Sequence, residues 1–164
     1  MAQRQRMVEW EPAAGTHPDA AALSGLELLQ AIVSGELPRA PISALMGFDI
    51  EAVEEGRAVF GGTTGEHLCN PAGTVHGGFA MTLIDSAAGC AVHSTLPAGT
   101  AYATLETKVN LVRPILIDTG RLRCEGTLIH RGSRIATAEA RVVGEDSRLY
   151  AHGTSTCSIL EMRR

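Results

Sequence analysis

The sequence predicts an α+β protein in which one long apolar helix is followed by a run of antiparallel strands. Two observations carry this. Ala80, Leu83, Ile84, Ala87, Ala88, Ala91 and Val92 recur at the i, i+3, i+4, i+7, i+8 spacing of a helix that buries one face. Downstream, Leu122, Cys124, Gly126 and Leu128 alternate with Arg121, Arg123, Glu125 and Thr127, the period of a half-buried strand.

Met1 to Leu23 are irregular, Ala-rich and broken by Pro12, Gly15 and Pro18, and are expected to form an arm before a single domain over residues 24–164. Ser24 and Glu27 have capping-box spacing and should open a short helix that ends at Ser34-Gly35. Ile42 to Met46 fit a helical turn after Pro41. Phe48–Val53 and Arg57–Thr63 read as a hairpin turning at Glu54-Glu55-Gly56. The loop over residues 64–75 leads into the long helix, which should stop near Leu96-Pro97-Ala98-Gly99. Strands are expected over Tyr102–Val112, Gly120–His130, Arg134–Val143 and Leu149–Ile159.

At 164 residues the chain is long enough for one domain with a real core. The net charge of −4 and the scarcity of aromatic residues argue against a nucleic-acid partner. Lys108 is the only lysine, so arginine supplies nearly all positive charge. No apolar run is long enough to span a membrane. Cys69, Cys90, Cys124 and Cys157 form no CxxC pair, and with no signal peptide they are expected to be reduced thiols in the cytoplasm. His67, His93, His130 and His152 share no metal-ligand spacing, and no metal is expected.

The chemistry concentrates in Asn70-Pro71-Ala72-Gly73-Thr74-Val75-His76-Gly77-Gly78 and in Asp85. A glycine pair at a helix start leaves backbone N–H groups open to a carbonyl oxygen or an anion. Asp85 is the only acidic residue between Glu66 and Glu106, set in an apolar run where a carboxylate needs a reason. Gly77 and Asp85 are eight residues apart, roughly 12 Å along a helix. If both act on one atom, they must come from two subunits across a two-fold axis. Thr82, Ser86, Gly89 and His93 make a second, small face suited to close approach by another element, such as the same helix of a second copy. The bland readings are an Asp85 paired with an arginine, an Asn-Pro turn starter at Asn70, a loop histidine at His76 and a packing requirement at the glycines.

The Asn-Pro-x-Gly-x-x-His-Gly-Gly run, with Asp85 seven residues after the second glycine, resembles the hotdog-fold acyl-CoA thioesterases. The resemblance is strongest to the phenylacetate-degradation (PaaI-like) and related 4-hydroxybenzoyl-CoA thioesterases, and covers about Ser24 to Ile159. It implies a curved antiparallel sheet wrapped around one central helix. It also implies that Asp85 acts as general base or nucleophile and that the Gly77 N–H holds the thioester oxygen. Asn70 would orient water or the carbonyl, His76 would order the loop or touch the ligand, and Thr104 would help hold water near the carboxylate. Glu106, two residues on, should share that side of the strand. Gly78 supports close packing beside the ligand. Arg131 and Arg134 would meet the phosphates of coenzyme A, which enters as part of the substrate with no separate cofactor; Arg113 is a weaker candidate of the same kind. The resemblance further implies a homodimer with shared active sites, assembled into a homotetramer.

Two rival readings remain at this stage. A hotdog enoyl-CoA hydratase would carry an Asp–His pair in a register that His76 and Asp85 do not match. A non-catalytic acyl-CoA-binding protein would have no need of Asn70, Gly77 and Asp85 together.

Overall fold

The computed structural model describes residues 3–161. Six antiparallel strands form one sheet in the order β1-β2-β4-β5-β6-β3. They are β1 (Phe48–Glu54), β2 (Arg57–Thr63), β3 (Thr100–Leu111), β4 (Arg121–Arg131), β5 (Ile135–Gly144) and β6 (Leu149–Glu161). Helix α3 (Gly77–His93) lies on the concave face; α1 (Gly25–Ser34) and α2 (Pro41–Met46) precede the sheet. This is the hotdog arrangement, and no helix among the described residues is long and apolar enough to cross a membrane.

The α1 cap forms as expected: Ser24 Oγ accepts the Glu27 N–H at 3.3 Å, and the Glu27 carboxylate accepts the Ser24 N–H at 2.8 Å. Gly35 then ends the helix at φ 82°, a left-handed conformation that costs glycine little. The arm contains two 3-10 turns, Ala14–Thr16 and Ala20–Ala22. It is tied to the domain through Arg6, which donates to the Leu45 and Ala44 carbonyls at 2.7 and 3.2 Å, and through Arg4, 2.8 Å from Glu66.

The predicted helix stripe is the centre of the core: Ala80, Leu83, Ile84, Ala87, Ala88, Ala91 and Val92 are all 0% exposed. Helix α3 ends at His93, three residues before the predicted Leu96-Pro97 stop, because Ser94 already caps it. Its small face does not await a partner at Gly89. Tyr102 of the same chain covers that glycine, and the His93 ring lies 5.4 Å from the Tyr102 ring.

Small side chains let the sheet come close to this helix. A Cβ on Gly126 of β4 would lie 2.2 Å from the Ala87 carbonyl oxygen. Extra residues at Glu51, Leu105 and Ile129 interrupt the ladders of β1, β3 and β4. Such bulges bend a strand and raise its twist, which curls the sheet around α3.

Cys124, beside Gly126, is fully buried, and burial pushes its thiol up to about 12. The folded chain therefore keeps this proton after the unfolded chain, whose thiol titrates near 9, has released it. The stabilisation is complete below pH 9 and is lost as pH rises from 9 towards 12. Urea unfolding across that window should show falling stability, and Cys124→Ala should flatten the slope by about 1.4 kcal/mol per pH unit.

Candidate active site

The loop over residues 69–76 is a small self-bonded hairpin that presents the start of α3. Cys69 and Val75 form an isolated antiparallel bridge, and the Asn70 N–H donates to the Thr74 carbonyl at 2.8 Å. Asn70 also spends much of its side chain on this loop. Its Nδ2 donates to Thr74 Oγ1 at 2.8 Å, and its Oδ1 accepts the Ala72 N–H at 2.9 Å. The turn-starter reading is thus realised, yet an amide nitrogen carries two donors, so one remains to face a ligand.

His76 is the N-cap of α3: its Nδ1 accepts the Gly78 N–H at 2.9 Å. With Nδ1 accepting, the neutral ring carries its proton on Nε2, and the side chain is tied to the start of α3. It also consumes the N–H of Gly78. Gly77 differs, because its N–H has no acceptor among the described residues. With the positive end of the helix dipole behind it, this is the donor free to meet a developing oxyanion. Gly77 lies in a depression of about 310 Å³ with Asn70, Leu111 and Arg113.

Asp85 sits in a different depression, about 340 Å³, with Ile42, Met81, Thr82, Thr107 and Val109. The two depressions share no lining residue. Within one chain, Gly77 and Asp85 are therefore not brought together, as the helical spacing requires.

The hydroxyl on Asp85 is that of Thr107, not Thr104: Thr107 Oγ1 donates to Asp85 Oδ1 at 2.8 Å. Thr107 is backed by buried Ser155, whose Oγ lies 3.3 Å from Thr107 Oγ1 and 3.2 Å from the Glu106 carbonyl. The bulge is the reason. Thr104 pairs with Cys157, Glu106 with Thr156 and Thr107 with Ser155, leaving Leu105 as the extra residue. Cys157 and Ser155 face the helix, so Thr104 and Thr107 both point inward while Glu106 points away. The expectation that Thr104 and Glu106 share a face fails for this reason, and Thr104 meets the Cys157 thiol instead. A signal was available: core-packed Tyr102 has even parity, whereas core-packed Val109 has odd parity.

Arg131 donates to the Thr95 carbonyl at 2.6 Å, beyond the C-terminal end of α3. Arg134 is exposed on the same turn. Neither converges with Gly77 or Asp85 in one chain, since about 24 Å of helix axis separates Gly77 from His93, and about 12 Å separates Asp85 from it. Arg113 is nearer, lining the Gly77 depression with its guanidinium 5.8 Å from the Tyr150 ring centre. Cys69 lies against the Gly65 and Gly73 carbonyls, at 3.9 and 3.7 Å.

Comparison with known proteins places this geometry in context. Residues 72–151, which include His76, Gly77, Asp85 and Thr107, match the model of the thioesterase superfamily. A curated relative from Halobacterium salinarum, named as a candidate esterase, is 35% identical over 105 residues, 61% of this chain and 68% of the relative. A conserved protein of Pseudomonas aeruginosa has a similar structure, with a TM-score of 0.69 and 33% identity over 74% of this chain and 94% of its own. A phenylacetic acid degradation-related protein of Ralstonia eutropha, described as a candidate thioesterase, has a TM-score of 0.72 and 26% identity over 79% of this chain and 98% of its own.

Proposed function

Because this chain belongs to the thioesterase superfamily and is a thioester hydrolase, we propose that it hydrolyses an aryl- or medium-chain acyl-CoA to coenzyme A and a carboxylic acid. Asp85 of one subunit takes a proton from water, which attacks the thioester carbon. The Gly77 N–H of the other subunit holds the carbonyl oxygen as it becomes negative. When the carbonyl re-forms, the C–S bond breaks and coenzyme A leaves as its thiolate, which then takes up a proton. The observation that carries this reading is the pairing of a Thr107-held carboxylate with a free helix-start N–H in separate depressions. Thr107 occupies Oδ1 and orients the carboxylate, so Oδ2 is free to face the water.

The shared site follows from strand β3. Thr107 touches Asp85, while the Leu111 side chain lies against Gly77, where an added Cβ would be 2.6 Å from Leu111 Cδ1. β3 is the outer strand of the sheet, and its free edge can pair with the same edge of a second copy. A two-fold axis beside Val109 sets Thr107 of one copy opposite Leu111 of the other, and so aligns Asp85 with the second copy's Gly77. The homotetramer and the coenzyme A contacts of Arg131 and Arg134 belong to the same proposal. So does a cytoplasmic location, in keeping with four free cysteines.

Complementation tests this. Asp85→Asn removes the carboxylate, and Gly77→Pro removes the N–H at a helix position that accepts proline. Each homodimer should release little CoA thiol from phenylacetyl-, hydroxybenzoyl- or medium-chain acyl-CoA. Co-refolded mixed dimers hold one site with both groups intact and should recover activity. If mixing recovers nothing while wild type is active, the two groups do not work across subunits. If wild type binds acyl-CoA and releases no thiol, the binding-protein reading replaces this one.

A further inference from the structure

Resting on that reading, we infer that the acyl group lies in a trough roofed by α2, and that the N-terminal arm, through Arg6 and Val8, sets how long an acyl group fits. Gly78, Thr82 and Asp85 are spaced four and three residues apart and form one line along α3. Thr82 lines both the Asp85 depression and a larger cavity of about 650 Å³ at the start of the helix. Helix α2 covers the two together: Ile42 stands over the Asp85 end, and Leu45 and Met46 over the larger end. An acyl group whose carbonyl is attacked beside Asp85 can run past Thr82 and under α2.

The walls suit an apolar occupant. Leu45, Met46, Leu68, Phe79 and Val8 supply an apolar part of the lining of the larger cavity, and its size lies within the range of small-molecule pockets. The far wall is the arm. Arg6 donates to the last carbonyls of α2, those of Leu45 and Ala44, which have no acceptor role inside the helix. A cation at a helix C-terminus is favourable, so this contact fixes both the arm and the tilt of α2. Arg4 on Glu66 anchors the same segment to the other bank, next to His67. The arm thereby supplies two residues, Arg6 and Val8, to the lining of this cavity. The arm lies outside residues 72–151, the span matched by the thioesterase superfamily.

The test uses the full-length protein and two readouts. Binding of alkyl-CoA thioethers, which cannot be hydrolysed, is measured by calorimetry for chains from ethyl to dodecyl; hydrolysis of the matching acyl-CoA esters gives kcat and KM. Arg6→Ala frees the arm from α2 and should weaken binding of the longest thioethers and raise KM for the longest esters by about tenfold, as the apolar contact made by the held arm is lost. Values for the ethyl thioether and acetyl ester, and kcat throughout, should stay at wild type. Arg6→Lys, which keeps the charge and a hydrogen-bonding ammonium in place of the guanidinium fork, should recover part of the loss. Val8→Trp fills the distal end and should exclude long chains while sparing short ones. An unchanged length profile in both variants overturns the inference, as does an equal loss at every length. If no ester is hydrolysed, the thioesterase reading fails, yet the thioether profile still decides where the acyl group lies.

Discussion

Asp85→Asn is expected to lower kcat by about 10²–10⁴-fold without unfolding the protein. The two halves of this expectation have separate causes. Catalysis needs a carboxylate that can accept a proton, and an amide cannot. Folding does not need the charge, because Asp85 forms no ion pair among the described residues. Its one side-chain hydrogen bond among the described residues comes from Thr107 Oγ1, and an amide oxygen accepts that bond equally well. Stability should therefore stay within about 1 kcal/mol of wild type. Thiol release under saturating acyl-CoA, beside a thermal melt, checks both halves. A variant with wild-type kcat would remove Asp85 from the chemistry. A variant that loses kcat only because it melts at assay temperature would leave the carboxylate with a structural part.

Gly126→Ala should produce a large loss of stability. The added methyl would lie 2.2 Å from the Ala87 oxygen, 2.3 Å from its carbonyl carbon and 2.8 Å from the Ala88 nitrogen. All three are backbone atoms of α3, so no side chain can turn aside. The helix must lift from β4 at the centre of the core, with Leu83, Ile84 and Val92 around it. The expected cost is about 3 kcal/mol, or a fall in Tm of about 6–12 °C. Gly77 offers the contrast, for its nearest obstacle is the tip of the Leu111 side chain, which can rotate. Gly77→Ala should therefore melt much closer to wild type. Equal losses in the two variants would contradict the rigid-backbone explanation.

What could be read in advance divides along a physical line. The Ser24–Glu27 cap, the apolar stripe of α3 and the alternation in β4 are local patterns, and each formed where its residues place it. The free N–H at Gly77 was foreseeable too, since every helix start leaves unpaired donors. Thr107 is hidden in the sequence, because a bulge is fixed by the strands on either side and leaves only a change of parity between Tyr102 and Val109. The arm carries no motif, and its contact through Arg6 depends on where α2 ends in space. The place of Arg131 beyond the far end of α3 likewise depends on the sheet's topology rather than on the basic turn that contains it.

The bulges at Glu51 and Leu105 also bear on how far the sheet's open edges can be extended by another chain. Each lies on a strand at an open edge of the sheet, β1 or β3. A flat, regular edge can recruit further chains without limit, whereas a bulged edge offers only a short regular ladder. On β1 the break falls near the middle of the strand, and its Glu51 carboxylate is held by Arg121. On β3 the regular stretch beyond the bulge, Glu106 to Leu111, is centred close to Val109. Pairing two such stretches about a two-fold axis consumes both and leaves no further β3 edge to grow. The irregularity that places Thr107 beside Asp85 thus also shortens the regular ladder that the β3 edge offers to another chain.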